Sequence, residues 1–263
     1  MSSQTPSDAA LVLSNRRLIG AYLAETRFEF LRMMRNPAYV LPMLILPLGL
    51  YLLFAVLIMS EAIGKEPELG AYLFAGFAVM AVSMPALFGI GPTLALEREL
   101  RLHELRRAQP APAGTWLVAK LAVGIAYCVL SFLPMLVAGV ATGKLSLGAT
   151  QLVALSLALL SGSIPFCAFG LLVGSIFGGS SAPAWANLLY LPGCYLSGMF
   201  FPLPESLHWQ APLWPQFHID QLAMHAAGIE KFQFFPPQLS VAVLLGFAVI
   251  TSAGAAWRLA RKG

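Results

Sequence analysis

Long, uninterrupted apolar blocks are the feature that most constrains the fold of this chain. Each block is at or above the roughly 18 residues expected of a membrane-spanning helix. Backbone polar groups in hydrocarbon must be satisfied internally, and barrel strands would instead alternate over about ten residues, so the blocks predict helices. Composition agrees, because 58% of the residues are hydrophobic and only 11% are charged, whereas about a quarter are charged in soluble domains.

Six blocks are predicted to span the membrane, which makes the fold all-α and the chain a polytopic membrane protein. The approximate bounds are Ala38–Ser60, Ala71–Leu96, Thr115–Ala141, Ala149–Phe177, Ala182–Phe201 and Gln238–Trp257. The fourth block is long enough to tilt, kink or break near Pro165. Residues 37–258 would form one transmembrane domain, with a polar tail at 1–15 and a cytoplasmic tail at 259–263.

Lysine and arginine are concentrated on alternate sides of these spans. They are frequent in the N-terminal segment, in connection 97–110 and in the C-terminal tail, whereas the opposite connections hold only Lys65, Lys144 and Lys231. The positive-inside rule predicts that both termini are cytoplasmic, with an even number of spans. The apolar run Leu11–Leu13 is too short for a signal peptide, so we expect the first span to act as an uncleaved insertion signal. The net charge of +4 thus reports orientation beside anionic headgroups, and nucleic-acid binding is not expected.

Residues 16–36 predict an amphipathic helix that lies in the membrane interface. The apolar residues near helical spacing are Ile19, Tyr22, Leu23, Phe30, Met33 and Met34, while Glu25, Glu29 and Arg32 share the other face. The charged residues expected to define this interfacial helix are Arg27, Glu29, Arg32 and Arg35. The pair Asn36-Pro37 should end the helix, because a residue before proline avoids helical geometry. A solvated cytoplasmic helix is the alternative.

The connection 97–110 is dense in charges of both signs. Acidic and basic residues recur at three- or four-residue separations, as Glu97 and Arg101 do, which favours a short exposed helix. A plain solvated loop would need only the basic residues for orientation. The alternating acids therefore suggest a surface that docks against another protein, and a charged turn that contacts nothing is the alternative.

The outer connection 202–237 is too apolar for a loop in water and too broken by prolines for a span. It contains Trp209, Trp214, Phe217, Phe232, Phe234 and Phe235. Short helices that dip into the outer leaflet fit this pattern, with the tryptophans at headgroup depth. Its polar residues His208, His218, Asp220 and His225 match no strong metal motif, so interfacial polar roles are favoured over a metal site. Cys128, Cys167 and Cys194 are expected to be small buried apolar residues.

Taken in order, these features resemble the permease subunit of type-2 ABC transporters over the whole length. The resemblance rests on the charged segment from Glu97, a proline and then Lys120 opening the third span, the run Leu196–Pro202, and an outer connection with a Trp-Pro pair. It implies a six-helix permease with an amphipathic N-terminal helix. It also implies a cytoplasmic coupling helix that sits on an ATPase, and a re-entrant outer hairpin before the last span.

The coupling helix of that family has the pattern E-R-E…L-E…R…P. This chain matches it at Glu97, Arg98, Glu99, Glu104, Arg107 and Pro110. It departs at Arg101-Leu102, where the family more often has Gly-Thr, and at His103 and Arg106, where apolar residues are commoner. The resemblance thus implies ATPase coupling at Glu97, Arg98, Glu99, Arg101, Glu104 and Arg107, and an outer re-entrant turn at Ser197, Gly198 and Pro202.

The resemblance also implies the partners. The chain has no G-x-x-x-x-G-K-[ST] phosphate loop, so a separate ATP-binding subunit, in two copies, would bind ATP and Mg²⁺. This chain would hold no cofactor or metal, would lack enzymatic activity, and would pair with a second permease subunit, a homodimer being favoured over a heterodimer. The expected location is a bacterial inner membrane, and the expected activity is export of an amphipathic, lipid-like, drug-like or glycan cargo; substrate-binding residues are unknown.

The residues argue against two other classes of protein. An ion-coupled secondary transporter, which needs no ATPase, usually keeps ionisable residues inside the membrane, but the predicted spans hold no Asp or Glu away from their ends. An intramembrane serine protease needs a histidine base beside its serine, and all four histidines lie outside the predicted spans.

Overall fold

The computed structural model describes residues 15–102 and 114–262, and within these residues all regular structure is helical. The helices are α1 (Asn15–Met34), α2 (Pro37–Tyr51), α3 (Ser60–Lys65), α4 (Pro67–Glu99), α5 (Thr115–Ala141), α6 (Ala149–Ser161), α7 (Ser163–Ile176), α8 (Ala182–Leu196), α9 (Pro215–Ala227) and α10 (Pro237–Lys262). A π-helix (Leu52–Ile58) continues α2, and two short 3₁₀ turns (Glu205–Leu207 and Ala211–Leu213) precede α9.

In the described residues, five helical segments are long and apolar enough to cross a membrane, and they correspond to five of the predicted spans. They are Val40–Ile58, Pro67–Glu99, Thr115–Ala141, Ala149–Ile176 and Pro237–Arg261. The polytopic all-α prediction is therefore confirmed for these five.

The predicted span Ala182–Phe201 takes a different form. Its helix, α8, has 15 residues and ends at Leu196, so it rises about 22 Å against a hydrocarbon core of about 30 Å. The chain then turns, because Gly198 adopts a left-handed conformation with φ of 79°. A sixth crossing by one long helix is therefore absent from the described residues.

Helix α4 is the centre of the bundle. It is 33 residues long, most of them buried, and it packs against α2, α5, α7, α8 and α9. Its closest neighbour is α7, where Gly170 and Gly174 let the two backbones approach. A Cβ added at Gly170 would lie 2.9 Å from the Leu87 carbonyl oxygen of α4. Small residues four apart are a common means of close packing between membrane helices.

The fourth predicted span breaks into α6 and α7 at Gly162, three residues before Pro165. Proline lacks the amide hydrogen that would bond to the preceding turn, so a break just before it is expected. Gly162 also faces Ile219 of α9, and an added Cβ would lie 2.5 Å from the Ile219 Cδ1 atom. The break therefore leaves room for α9 to pack against the middle of this span.

The segment 202–237 is folded against the bundle. Helix α9 packs on α6, α10, α4 and α8, and nine of its 13 residues are buried. The Gln216 side-chain amide donates to the Tyr190 carbonyl oxygen at 3.2 Å, while the Gln151 amide donates to the Ala227 carbonyl oxygen at 2.8 Å. Helix α9 thus runs from the middle of α8 to the start of α6.

Candidate coupling site

Four charged side chains form a buried cluster at one end of α4, which we call the charge cluster: Glu29 and Arg32 of α1, Glu97 of α4 and Lys120 of α5. The Lys120 ammonium lies 2.8 Å from Glu97 Oε1 and also pairs with Glu29. The Arg32 guanidinium pairs with Glu97 and lies 3.5 Å from Glu29 Oε2. Three helices that are distant in sequence are thereby joined at one point.

The cluster contains two carboxylates and two cations, so its formal charge is zero. Glu29, Glu97 and Lys120 are 3%, 4% and 2% exposed, and charges removed from water to this extent are stable only when they are paired. Burial alone would lower the pKa of Arg32, but the charges and hydrogen bonds of Glu97 and Glu29 raise it above its usual value. The guanidinium therefore stays charged at any physiological pH.

Arg98 and Glu99 connect the same end of α4 to the other side of the bundle. The Arg98 guanidinium donates to the Gly174 carbonyl oxygen of α7 at 2.8 Å. The Gly179 amide, just before α8, donates to Glu99 Oε2 at 2.8 Å. Arg258, near the C-terminus of α10, is close enough to Arg98 for the two positive charges to repel each other. We call this region, Glu97 to Glu99, the charged end of α4.

The predicted coupling residues therefore fall into three groups. Glu97, Arg98 and Glu99 belong to the last turn of α4; Glu97 and Arg98 contact other helices, and Glu99 contacts the segment before α8. Arg101 is exposed directly after that helix and has a positive φ of 52°. Glu104, Arg107 and Pro110 lie outside the described residues.

The predicted interfacial segment is helical, as α1, but its faces differ from the expected pattern. Glu29 and Arg32 face the bundle, whereas Arg27 and Arg35 are exposed. Phe30 and Met33 of the expected apolar set pack around Tyr127 and Val123 of α5, while Ile19, Leu23 and Phe28 are exposed by 59% to 66%. The face that carries Glu29 and Arg32 thus meets Lys120 and Glu97 inside the bundle, and the position of α1 at the membrane interface stays a prediction.

The predicted outer turn lies at the other end of α4, which we call the opposite end. Ser197 and Gly198 follow α8, and the Tyr72 hydroxyl of α4 donates to the Gly198 carbonyl oxygen. Pro202 is exposed but lines the same cavity as Tyr72 and Gly198. The Met199 carbonyl oxygen sits against Gly76, where no side chain larger than hydrogen fits.

Lys120 was seen in the sequence only as a landmark of the third span. Its role as the central cation of the charge cluster was missed. The signal was available, because a lysine five residues into an apolar span is costly unless it has a partner. Its partner could not be identified from sequence, since Glu29 is 91 residues away.

The histidines of the outer segment form separate contacts. His218 hydrogen-bonds to Ser240 of α10 and to the Pro212 carbonyl oxygen, at 3.2 Å and 2.9 Å. His208 stacks on Phe234 with ring centroids 4.1 Å apart, and His225 lies 3.2 Å from the Gln233 side chain. In the described residues, no group of three or more His, Cys, Asp or Glu side chains could hold a metal ion.

Comparison with known proteins agrees with this architecture. Residues 21–218, from α1 into α9, match the family described as ABC-2 type transporter. The chain is also similar to a Bacillus subtilis (strain 168) protein named "Putative transport permease YvfS", with 24% identity over 193 residues, which cover 72% of this chain and 78% of that protein. The chain therefore belongs to the ABC-2 type transporter family, as a multi-pass permease subunit that has no catalytic activity itself and works with ATP-binding subunits.

Proposed function

We propose that this chain is the membrane subunit of an ATP-driven exporter, and that the charged end of α4 transmits motion from the ATP-binding subunit to the bundle. The observation that carries this proposal is the set of contacts made by three consecutive residues. Glu97 binds α1 and α5 through the charge cluster, Arg98 binds α7, and Glu99 binds the segment before α8.

The connection that leaves the charged end begins at Leu100, which is 58% exposed. A force applied to this connection would act on α4 first and, through the side chains of its last turn, on the neighbouring helices. Such a movement changes transport only if the cargo binds the two conformations with different free energy. In this scheme Arg101, Glu104 and Arg107 contact the ATP-binding subunit, while Glu97 positions helices inside the permease.

A sixth crossing is supported by the path of the chain from Gly179 to Met199. Gly179 packs against Leu96 at the charged end of α4, and Met199 packs against Gly76 near the opposite end. These two points on α4 are 20 residues apart, or roughly 30 Å, which matches the hydrocarbon thickness. We propose that α8 and the turn after it cross the membrane together.

A re-entrant outer hairpin is supported by the depth of Gln216. This residue binds the carbonyl group of Tyr190, whose hydroxyl lies 2.8 Å from the Ser83 hydroxyl near the middle of α4. Tyr72 lies at the opposite end of α4, and Ser83 is 11 residues further along, which is a depth of roughly 16 Å from that end. The segment 202–237 would thus enter the membrane to about half its thickness and return.

The orientation follows from where the basic segments meet. Arg32, Arg98 and Arg258 come from the N-terminal segment, the connection after α4 and the C-terminal helix, and they lie at the charged end of α4. By the positive-inside rule this end is cytoplasmic, as are both termini. The membrane would be a bacterial inner membrane, with residues 16–36 at its interface.

The complete transporter would contain two permease subunits, as a homodimer, and two ATP-binding subunits, which bind ATP and Mg²⁺. The cargo would be amphipathic, lipid-like, drug-like or a glycan. Family membership argues against the ion-coupled secondary transporter and the intramembrane enzyme.

The experiment is charge reversal after α4 in proteoliposomes that contain the permease and its ATP-binding subunit. Arg101→Glu, Glu104→Lys and Arg107→Glu should each lower cargo-stimulated ATP hydrolysis and transport, because each reverses a charge at the proposed contact. The matched control is Lys65→Glu, an equal charge change on an exposed residue between the first two spans. Normal ATP hydrolysis and transport in all three variants would contradict the proposal.

A further inference from the structure

The outer segment and the opposite end of α4 enclose a cavity that the proposed coupling does not use. Its volume is about 170 Å³, far above the ~10–15 Å³ that one water molecule requires. Four aromatic side chains line it: Tyr72, Phe217, Phe232 and Phe234. The acidic residue of the lining is Asp220 of α9, and Lys231 lies among the remaining lining residues.

Asp220 is the unusual member of this lining. It is 2% exposed, and among the described residues no hydrogen-bond donor reaches its Oδ1 atom. Burial raises the pKa of this carboxyl well above its usual value. A buried carboxylate without a compensating charge is costly, whereas a cation in the cavity would supply that charge.

The aromatic rings are arranged around the same space. The centroids of Tyr72 and Phe232 lie 4.6 Å apart with an angle of 40° between the rings, and those of Phe217 and Phe234 lie 5.1 Å apart at 44°. Ring faces attract ammonium groups, and quaternary ammonium ligands are often held by several aromatic side chains.

Lys231 provides an internal example of this chemistry. Its ammonium lies 5.7 Å from the centroid of the Phe232 ring. The side chain is 56% exposed and pairs with Glu66 at the surface. The ring of Phe232 is thus accessible to an ammonium group from the protein surface.

We propose that this cavity binds an organic ammonium group, with Asp220 as the counter-ion and Tyr72, Phe217 and Phe232 as the aromatic wall. The ammonium group could belong to a choline or ethanolamine lipid headgroup or to a soluble amine, since both present the same chemistry. The site depends on neither the direction of transport nor ATP coupling.

The test uses the full-length chain in nanodiscs of phosphatidylglycerol, a lipid without an ammonium group. The probe is radiolabelled choline, and the competitor is 3,3-dimethyl-1-butanol, which has the same shape without the charge. We expect saturable choline binding that the neutral competitor displaces weakly. Absence of saturable choline binding, or equal competition by the neutral alcohol, would overturn the proposal.

Charge variants test the counter-ion. Asp220→Asn keeps the shape of the side chain and should weaken choline binding about tenfold or more. The matched control, Glu230→Gln, removes an exposed acid outside the cavity lining and should leave the affinity unchanged. Lys231→Gln should tighten binding, because it removes a positive charge and releases Glu66. Wild-type affinity in Asp220→Asn would overturn the assignment.

Ring variants keep the proposal testable if Asp220→Asn does not fold. Phe232→Leu should weaken choline binding roughly two- to thirtyfold, and Phe232→Trp should retain it, because only the second keeps a ring face. Equal affinity in both variants would contradict an aromatic wall.

The two sources of the ammonium group are separated by changing the lipid. In nanodiscs that contain phosphatidylcholine, a higher apparent Kd for choline identifies the lipid headgroup as the occupant. An unchanged Kd identifies a soluble amine.

Discussion

Lys120 holds two buried carboxylates together, and its removal should destabilise the protein strongly. In Lys120→Met the side chain keeps its length and loses its charge, so Glu29 and Glu97 are left to share Arg32. The Arg32 side chain is 36% exposed and cannot replace the buried ammonium. Removal of one partner from a buried ion pair costs about 3–5 kcal/mol, and we expect a loss of this size in the free energy of unfolding.

The matched control is Lys231→Met, which removes the same charge from the exposed pair with Glu66. The two side chains of that pair are 56% and 39% exposed, and surface pairs contribute about 0–1 kcal/mol. The assay is unfolding of the purified protein by sodium dodecyl sulfate, followed by tryptophan fluorescence. The double variant Lys120→Met/Glu97→Gln should recover part of the loss, because it removes one of the two carboxylates. A loss no larger than in Lys231→Met, or strictly additive effects of Lys120→Met and Glu97→Gln, would refute this account of the charge cluster.

Two further predictions concern glycines at close backbone contacts. A Cβ in Gly174→Ala would lie 2.5 Å from the Gly91 carbonyl oxygen and 2.9 Å from the Leu94 Cβ, so this variant should lose about 1–3 kcal/mol in the same unfolding assay. Gly246→Ala meets nothing within 4 Å and should be neutral or more stable; similar stability of the two variants would contradict tight α4–α7 packing. Gly76→Ala should displace the turn at Met199, so that a protease added from outside cleaves segment 202–214 faster. Gly49→Ala, whose added Cβ would have open space, should not change the cleavage rate. Equal proteolysis rates would contradict the contact between α4 and this turn.

The sequence predicted the parts of the fold that hydropathy controls. Five spans were found because each is a long apolar helix, and the break before Pro165 followed from the missing amide hydrogen. The predicted span Ala182–Phe201 extends beyond its helix, which ends at Leu196, because hydropathy does not show where a helix ends. Its end depends on Gly198 and on the contact of Met199 with Gly76.

The charge cluster could be predicted only in part. The acidic and basic pattern singled out Glu97, Arg98 and Glu99, but the pattern alone suggested exposed residues. Glu97 is instead buried against Lys120, and Arg98 is partly buried against Gly174, while Glu99 remains exposed. Similarly, an amphipathic pattern cannot distinguish a polar face in water from one that meets a buried cation, and Glu29 is of the second kind.

The central claim is that the connection after the charged end of α4 contacts the ATP-binding subunit. The most direct measurement is photo-crosslinking in the assembled transporter, with benzoylphenylalanine placed at exposed Leu100 and, as the control, at exposed Lys65. We predict a crosslink to the ATP-binding subunit from position 100 and none from position 65. A crosslink from position 65, or none from position 100, would contradict the proposed coupling site.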